Sequence, residues 1–120
     1  MTLKNIKDYI ENKLENTQWI VDVIINNETK SVDVNLEIYS PAGRDVCVEF
    51  TFEEGTTKKQ IHSEFESYYG SYDVSYETYI WLDNDGHGKN GAPYEMSGVL
   101  IDSQWVENEL SELAYLFENK

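Results

Sequence analysis

The sequence predicts an α+β fold: a three-stranded antiparallel β-meander packed with an N-terminal helix, a middle helix and a long C-terminal helix. Three observations predict it. Apolar and polar side chains alternate at period two between residues 31 and 52. On either side of the strand region, apolar residues recur every three or four positions. Short turn-forming clusters separate the strand-like runs, too short for anything but antiparallel connections.

Each element has its own signal. Thr2 is placed to cap a first helix, in which Leu3, Ile6, Ile10 and Leu14 form one apolar stripe and Lys4, Lys7, Asp8, Glu11 and Lys13 stay outside it. Asn16-Thr17-Gln18 ends that helix. The first strand, Trp19 to Ile25, is mostly apolar, with Trp19, Val21, Val23 and Ile25 on one face, which predicts a central or doubly covered strand. After the turn Asn26-Asn27-Glu28-Thr29, Val32, Val34, Leu36 and Ile38 point inward while Asp33, Asn35 and Glu37 point outward. Ser40-Pro41-Ala42-Gly43 turns the chain again. A third strand then sets Val46, Val48, Phe50 and Phe52 against Asp45, Cys47, Glu49 and Thr51. Thr56 or Thr57 caps the middle helix, where Ile61, Phe65 and Tyr68 share a face and Gly70 is the expected stop. Tyr72 to Leu82 fits a strand or a short helix equally well. The last helix is expected from about Glu95 to Glu118, with Val99, Val106, Leu110, Leu113 and Phe117 buried and Asp102, Glu109 and Glu112 on the wet face.

At 120 residues the chain is sized for a single domain, 1–120, with one modest core, and 40% apolar content is enough to fold it. Cys47 is the only cysteine, so no internal disulfide can form. The first residues have no apolar signal segment and no run reaches membrane-spanning length, so a cytoplasmic location, without membrane association, is expected. The net charge of −14 is uneven. Residues 1–59 hold 11 acids and 7 bases, whereas residues 60–120 hold 12 acids against Lys89 and Lys120 alone. Such a field repels nucleic acid and anionic membranes and attracts basic protein surfaces. Acidity that serves only solubility is the plain alternative.

No catalytic, metal or cofactor motif is legible, and an enzyme is not expected. Gly86-His87-Gly88-Lys89-Asn90-Gly91 matches G-x-G-x-x-G but lacks the strand–loop–helix context of a dinucleotide site, and Asp83 and Asp85 would repel phosphate. Asp83-Asn84-Asp85-Gly86 begins like a calcium loop, yet His87 and Tyr94 fall where the fifth and twelfth positions need oxygen ligands. His62, His87 and Cys47 show no ligand spacing. Tyr68, Tyr69, Tyr72, Tyr76 and Tyr79 crowd beside Trp81 in the more acidic half, where aromatics and carboxylates together could grip arginine or could equally fill the core.

The run Tyr72-Asp73-Val74-Ser75-Tyr76-Glu77, Trp81-Leu82, Gly91-Ala92-Pro93, and Val99-Leu100-Ile101-Asp102 with Leu110-Ser111-Glu112-Leu113 resembles a group of small acidic proteins. These are carried by phages and integrative elements of low-GC Gram-positive bacteria. The likeness covers about the last fifty residues, with Tyr72 in place of a Phe, Ser103 in place of an Ala, and a longer loop before Gly91. It implies a mobile-element origin in a bacterial cytosol. In size and charge the chain is also similar to type II-A anti-CRISPR proteins, an analogy with no motif behind it.

These readings lead to an acidic inhibitor of a nucleic-acid-binding host complex, with Cas9 or its guide RNA complex as the basic partner. Carboxylates would stand where phosphates sit in its cationic channels. The expected contacts are Glu64, Glu66, Asp73, Glu77, Asp83, Asp85, Asp102, Glu109 and Glu112, with Tyr69 and Tyr72. A mobile-element binding or regulatory module with another protein target, including an immunity-type inhibitor of a basic toxin, is the competing expectation.

Overall fold

A computed structural model describes residues 1–82 and 96–118. The order is α1 (Leu3–Leu14), β1 (Ile20–Asn26), β2 (Ser31–Tyr39), β3 (Asp45–Glu53), α2 (Lys58–Ser71), α3 (Val74–Trp81) and α4 (Met96–Leu116). The strands form one antiparallel sheet in the order β1-β2-β3, the meander the alternation predicts. Asp83, Asp85 and the glycine loop to Pro93 lie outside the described residues. Among the described residues, no helix is long and apolar enough to cross a membrane.

Local chemistry sets the boundaries. The Thr2 hydroxyl accepts the Asn5 amide at 3.1 Å and starts α1. At its other end the Thr17 hydroxyl donates to the Leu14 carbonyl at 2.8 Å. The Asn26 side chain accepts the amides of Glu28 and Thr29, closing the β1–β2 turn. In the β2–β3 turn Gly43 has φ +86°, a conformation in which a Cβ would be strained. Thr57 and Gln60 form a reciprocal capping box at the start of α2. That helix passes through Gly70 to Ser71 and is capped by Tyr72 instead.

The sheet's inner face carries Val23, Val32, Val34, Leu36, Ile38, Val48 and Phe52, all buried. Against it pack Ile6, Ile10 and Leu14 of α1, Ile61 and Phe65 of α2, and Val106, Leu110, Leu113 and Phe117 from the α4 region. Phe65 stacks on Phe117 with ring centroids 4.1 Å apart and tilts against Phe50 at 4.4 Å.

Two expectations need correction and one ambiguity is resolved. β1 is an edge strand, with β2 in the centre. Its outward Ile20 and Ile24 are 55% and 51% exposed, so the apolar side chains on both faces did not signal cover on both. Lys7 Nζ donates to the Val23 carbonyl at 2.6 Å, occupying an acceptor on this edge strand. Residues 74–81 are helical, because the Asp73 carboxylate accepts the Tyr76 amide at 3.1 Å and starts a turn there. Asp102 is not on the wet face of α4. It is 4% exposed, and its Oδ1 accepts the Ala42 amide at 3.0 Å, tying α4 to the β2–β3 turn.

Candidate functional site

Among the described residues, the helices lie on one side of the sheet and none packs over the other. The register aligns its outward residues in rows across the strands: Ile20–Glu37–Cys47, Asp22–Asn35–Glu49 and Ile24–Asp33–Thr51, with Tyr39 beside Asp45. Strands lie about 4.8 Å apart and same-face residues along a strand about 6.7 Å apart, so these side chains form a fixed lattice. Asp22, Asp33, Glu37, Asp45, Glu49 and Glu53 fall on outward positions, and no Lys, Arg or His does.

Among the described residues, the side-chain hydrogen bonds on this face come from neutral donors. Thr51 Oγ1 donates to Asp33 at 3.0 Å, and the Tyr39 hydroxyl to Glu37 at 3.2 Å. The Cys47 thiol lies 3.7 Å from Glu37 and 3.5 Å from Asp45. None of the six acids is in an ion pair among the described residues. Two titratable neighbours respond accordingly. The charges of Glu37 and then Asp45 hold the Tyr39 hydroxyl above its usual range. Partial desolvation, followed by the Asp45 and Glu37 carboxylates, raises the Cys47 thiol. A shallow depression of about 210 Å³ runs between Ile20, Asp22, Asn35, Glu37, Cys47 and Glu49.

Glu37, Asp45 and Cys47 could each offer one metal ligand, with the three ligand atoms within 4.8 Å of one another. A raised thiol pKa works against the thiolate that metal binding needs, and three exposed donors do not close a tetrahedral site. The arrangement is better suited to cationic side chains, which need acceptors and negative potential without a fixed coordination sphere.

The residues expected from sequence meet different fates. Glu64 is exposed on α2, and Glu66 lies 3.1 Å from His62. Asp73 is the cap of α3. Glu77 is paired with Arg44 at 2.8 Å, and Arg44 also reaches the Tyr72 hydroxyl at 3.5 Å and stacks 5.2 Å above Trp81. Burial pushes the Tyr72 hydroxyl up, against the opposing charge of Arg44. Tyr69 and Tyr72 pack half-buried against the core, while Tyr76 and Tyr79 are exposed. Asp102 is enclosed. Glu109 and Glu112 stand near the C-terminal end of α4, beside the α1–β1 turn. The structure thus gathers Tyr72 and Glu77 around Arg44 but, among the described residues, does not assemble the expected carboxylates into one surface.

The open sheet face was missed as a site, although the alternation already marks Asp22, Asp33, Glu37, Asp45 and Glu49 as outward. The signal was the absence of any base at an outward strand position, which a count by halves of the chain conceals. In comparisons with known proteins, no family model, no curated protein and no solved structure matches the chain.

Proposed function

We propose that this chain is a protein-binding module that docks its open acidic sheet face on a cationic surface of a nucleic-acid-handling complex and competes there with phosphate. One observation carries the reading: six outward acids on a bare sheet, with no outward base and no ion pair among the described residues. Carboxylates borne on paired strands are held by the backbone ladder, so little ordering remains to oppose association. Arginine accepts a carboxylate with much the same bidentate geometry as a phosphate. The negative field also accelerates encounter with a basic groove and disfavours acidic competitors.

A Cas9-type effector is the first target to test, since it holds RNA and DNA in positively charged channels. The resemblance of the C-terminal residues to small acidic mobile-element proteins implies an origin and names no target. In the decisive experiment, the variant Asp33→Lys/Glu37→Lys/Glu49→Lys is compared with the native chain in guide-loading and cleavage assays across a salt titration. The native chain should inhibit, less so as salt rises, and the variant should bind about 100-fold more weakly, corresponding to ~2.7 kcal/mol. Inhibition untouched by the triple reversal would overturn the sheet-face reading. No effect of the native chain on Cas9 would remove that target. Charge-reversal-sensitive capture of another cationic host protein would then favour a module with a different partner.

A further inference from the structure

A groove of about 440 Å³ lies between the α1–β1 turn and the last two turns of α4, and shares no lining residue with the depression on the open sheet face. Its apolar lining is the half-buried Leu116 and the exposed Tyr115 with the buried Trp19 and Leu113, and Gln18 adds a polar group at the turn. Glu109 and Glu112 complete it. They are three residues apart on one helix, so their side chains share a face with Cβ atoms about 5–6 Å apart. Neither has a Lys, Arg or His within 4 Å among the described residues. Burial first, and then the charge of Glu112, pushes the Glu109 carboxyl up.

The backbone adds to the negative potential. α4 has no basic residue in its last turn, so among the described residues no side-chain cation of the helix itself offsets its negative end. α1 also ends at this groove, its Leu14 carbonyl met only by the amide and hydroxyl of Thr17. The one base in the last turn of α1, Lys13, lies 5.7 Å from the Tyr9 ring. Two helix C-termini and two carboxylates therefore converge over an apolar floor. That combination disfavours anions and gives neutral polar ligands no advantage over water. It suits a cation on a long apolar stem.

We propose that this groove is a pocket for an arginine side chain of a partner protein. The methylene stem would lie along Leu116 and the exposed edge of Trp19 while the planar guanidinium bridges Glu109 and Glu112. Lysine could match the charge but not the fork that contacts both carboxylates at once. The inference adds a second contact to the docking reading, on different residues, and can fail independently of it.

The test is a titration of the full-length, ¹⁵N-labelled protein with arginine blocked at both ends, followed by amide shifts. Blocked lysine and blocked citrulline serve as comparators. Saturable shifts confined to residues 16–19 and 109–116 are expected, with citrulline silent and lysine several-fold weaker. The isosteric Glu109→Gln/Glu112→Gln variant should weaken arginine binding about tenfold or more, with its spectrum outside the groove showing that it is folded. The sheet-face triple reversal should leave this binding in place. Shifts that fail to saturate, that spread evenly over all acidic residues, or that persist in the double variant would overturn the pocket. Equal binding of lysine would overturn its assignment to arginine.

Discussion

On the helical side of the molecule, Glu77 meets Arg44, Glu66 meets His62, Asp73 caps α3, and Asp102 is buried holding the Ala42 amide. On the open side of the sheet, Asp33, Glu37 and Asp45 meet neutral donors, and no sheet-face acid has a cation within 4 Å among the described residues. Both regions are acidic, but most of the first set helps to hold the fold together while the second is free to act on something else. Charge counted along the chain does not distinguish these uses. The half with the greater negative excess buries Asp102 and neutralises Glu77. The half with the smaller excess keeps its bases on helices and turns and leaves one sheet face purely acidic.

The contrast is broken most readily by removing members of the two sets and measuring stability by urea unfolding. Arg44→Met leaves the Glu77 carboxylate without its partner in a partly enclosed site and takes the guanidinium from Trp81. The expected cost is about 1.5–3 kcal/mol. Asp102→Ala abandons the Ala42 amide beneath α4 and should cost about 1–3 kcal/mol. The sheet variant Asp33→Asn/Glu37→Gln/Glu49→Gln should stay within about 0.5 kcal/mol of the native chain, or gain stability as like charges are relieved. A loss from that triple variant as large as the loss from Arg44→Met would mean the sheet acids are structural too, and the distinction would collapse.

A smaller effect sharpens the comparison by reading the potential of the open face directly. Cys47 is exposed there, and its thiol is raised by partial desolvation and by Asp45 and Glu37. At a fixed pH near neutrality less of it is thiolate, so it should react slowly with a neutral alkylating agent. Asp45→Asn/Glu37→Gln lowers the thiol pKa and should speed alkylation several-fold. Added salt should speed the native protein more than the variant. A rate indifferent to both changes would show that no appreciable negative potential reaches this face.

Much of the fold was legible because its signals are local. Alternation fixed the faces of β2 and β3, Thr2 and Thr57 stand where caps must, and the apolar stripe of α1 reads directly as Leu3, Ile6, Ile10 and Leu14. What could not be read depends on neighbours. β1 has apolar residues on both faces whether or not anything covers Ile20 and Ile24. Asp102 sits one helical turn from the buried Val99 and Val106, close enough to the apolar side of α4 for the β2–β3 turn to enclose it. The site followed the same pattern. Its residues on β2 and most of those on β3 were already assigned outward, but the helices' confinement to the opposite face is a tertiary fact that no periodicity carries. The groove at Glu109 and Glu112 needed the α1–β1 turn to arrive beside α4, a contact between residues about ninety positions apart.

The smallest predicted effect concerns Glu109, an acid on the helical side that resembles the sheet acids in having no ion pair among the described residues. Its carboxyl is raised, first by burial and then by Glu112, so the folded state disfavours its charged form relative to the unfolded chain. Its contribution to stability is therefore fully present below the ordinary glutamate value of about 4.3 and is lost as pH rises through the higher folded value. Ionised at neutral pH, Glu109 destabilises the fold slightly, and because the group is largely exposed the effect should stay within about 0.5 kcal/mol. Glu109→Gln should then raise the thermal midpoint slightly at pH 7 and leave it unchanged below pH ~4, and Glu112→Gln should give part of the same gain. If the groove takes arginine, Glu109→Gln would gain stability and lose affinity together, as expected of a residue kept for binding at the expense of folding. A variant less stable than the native chain at pH 7 would place Glu109 among the structural acids and remove it from the comparison with the sheet face.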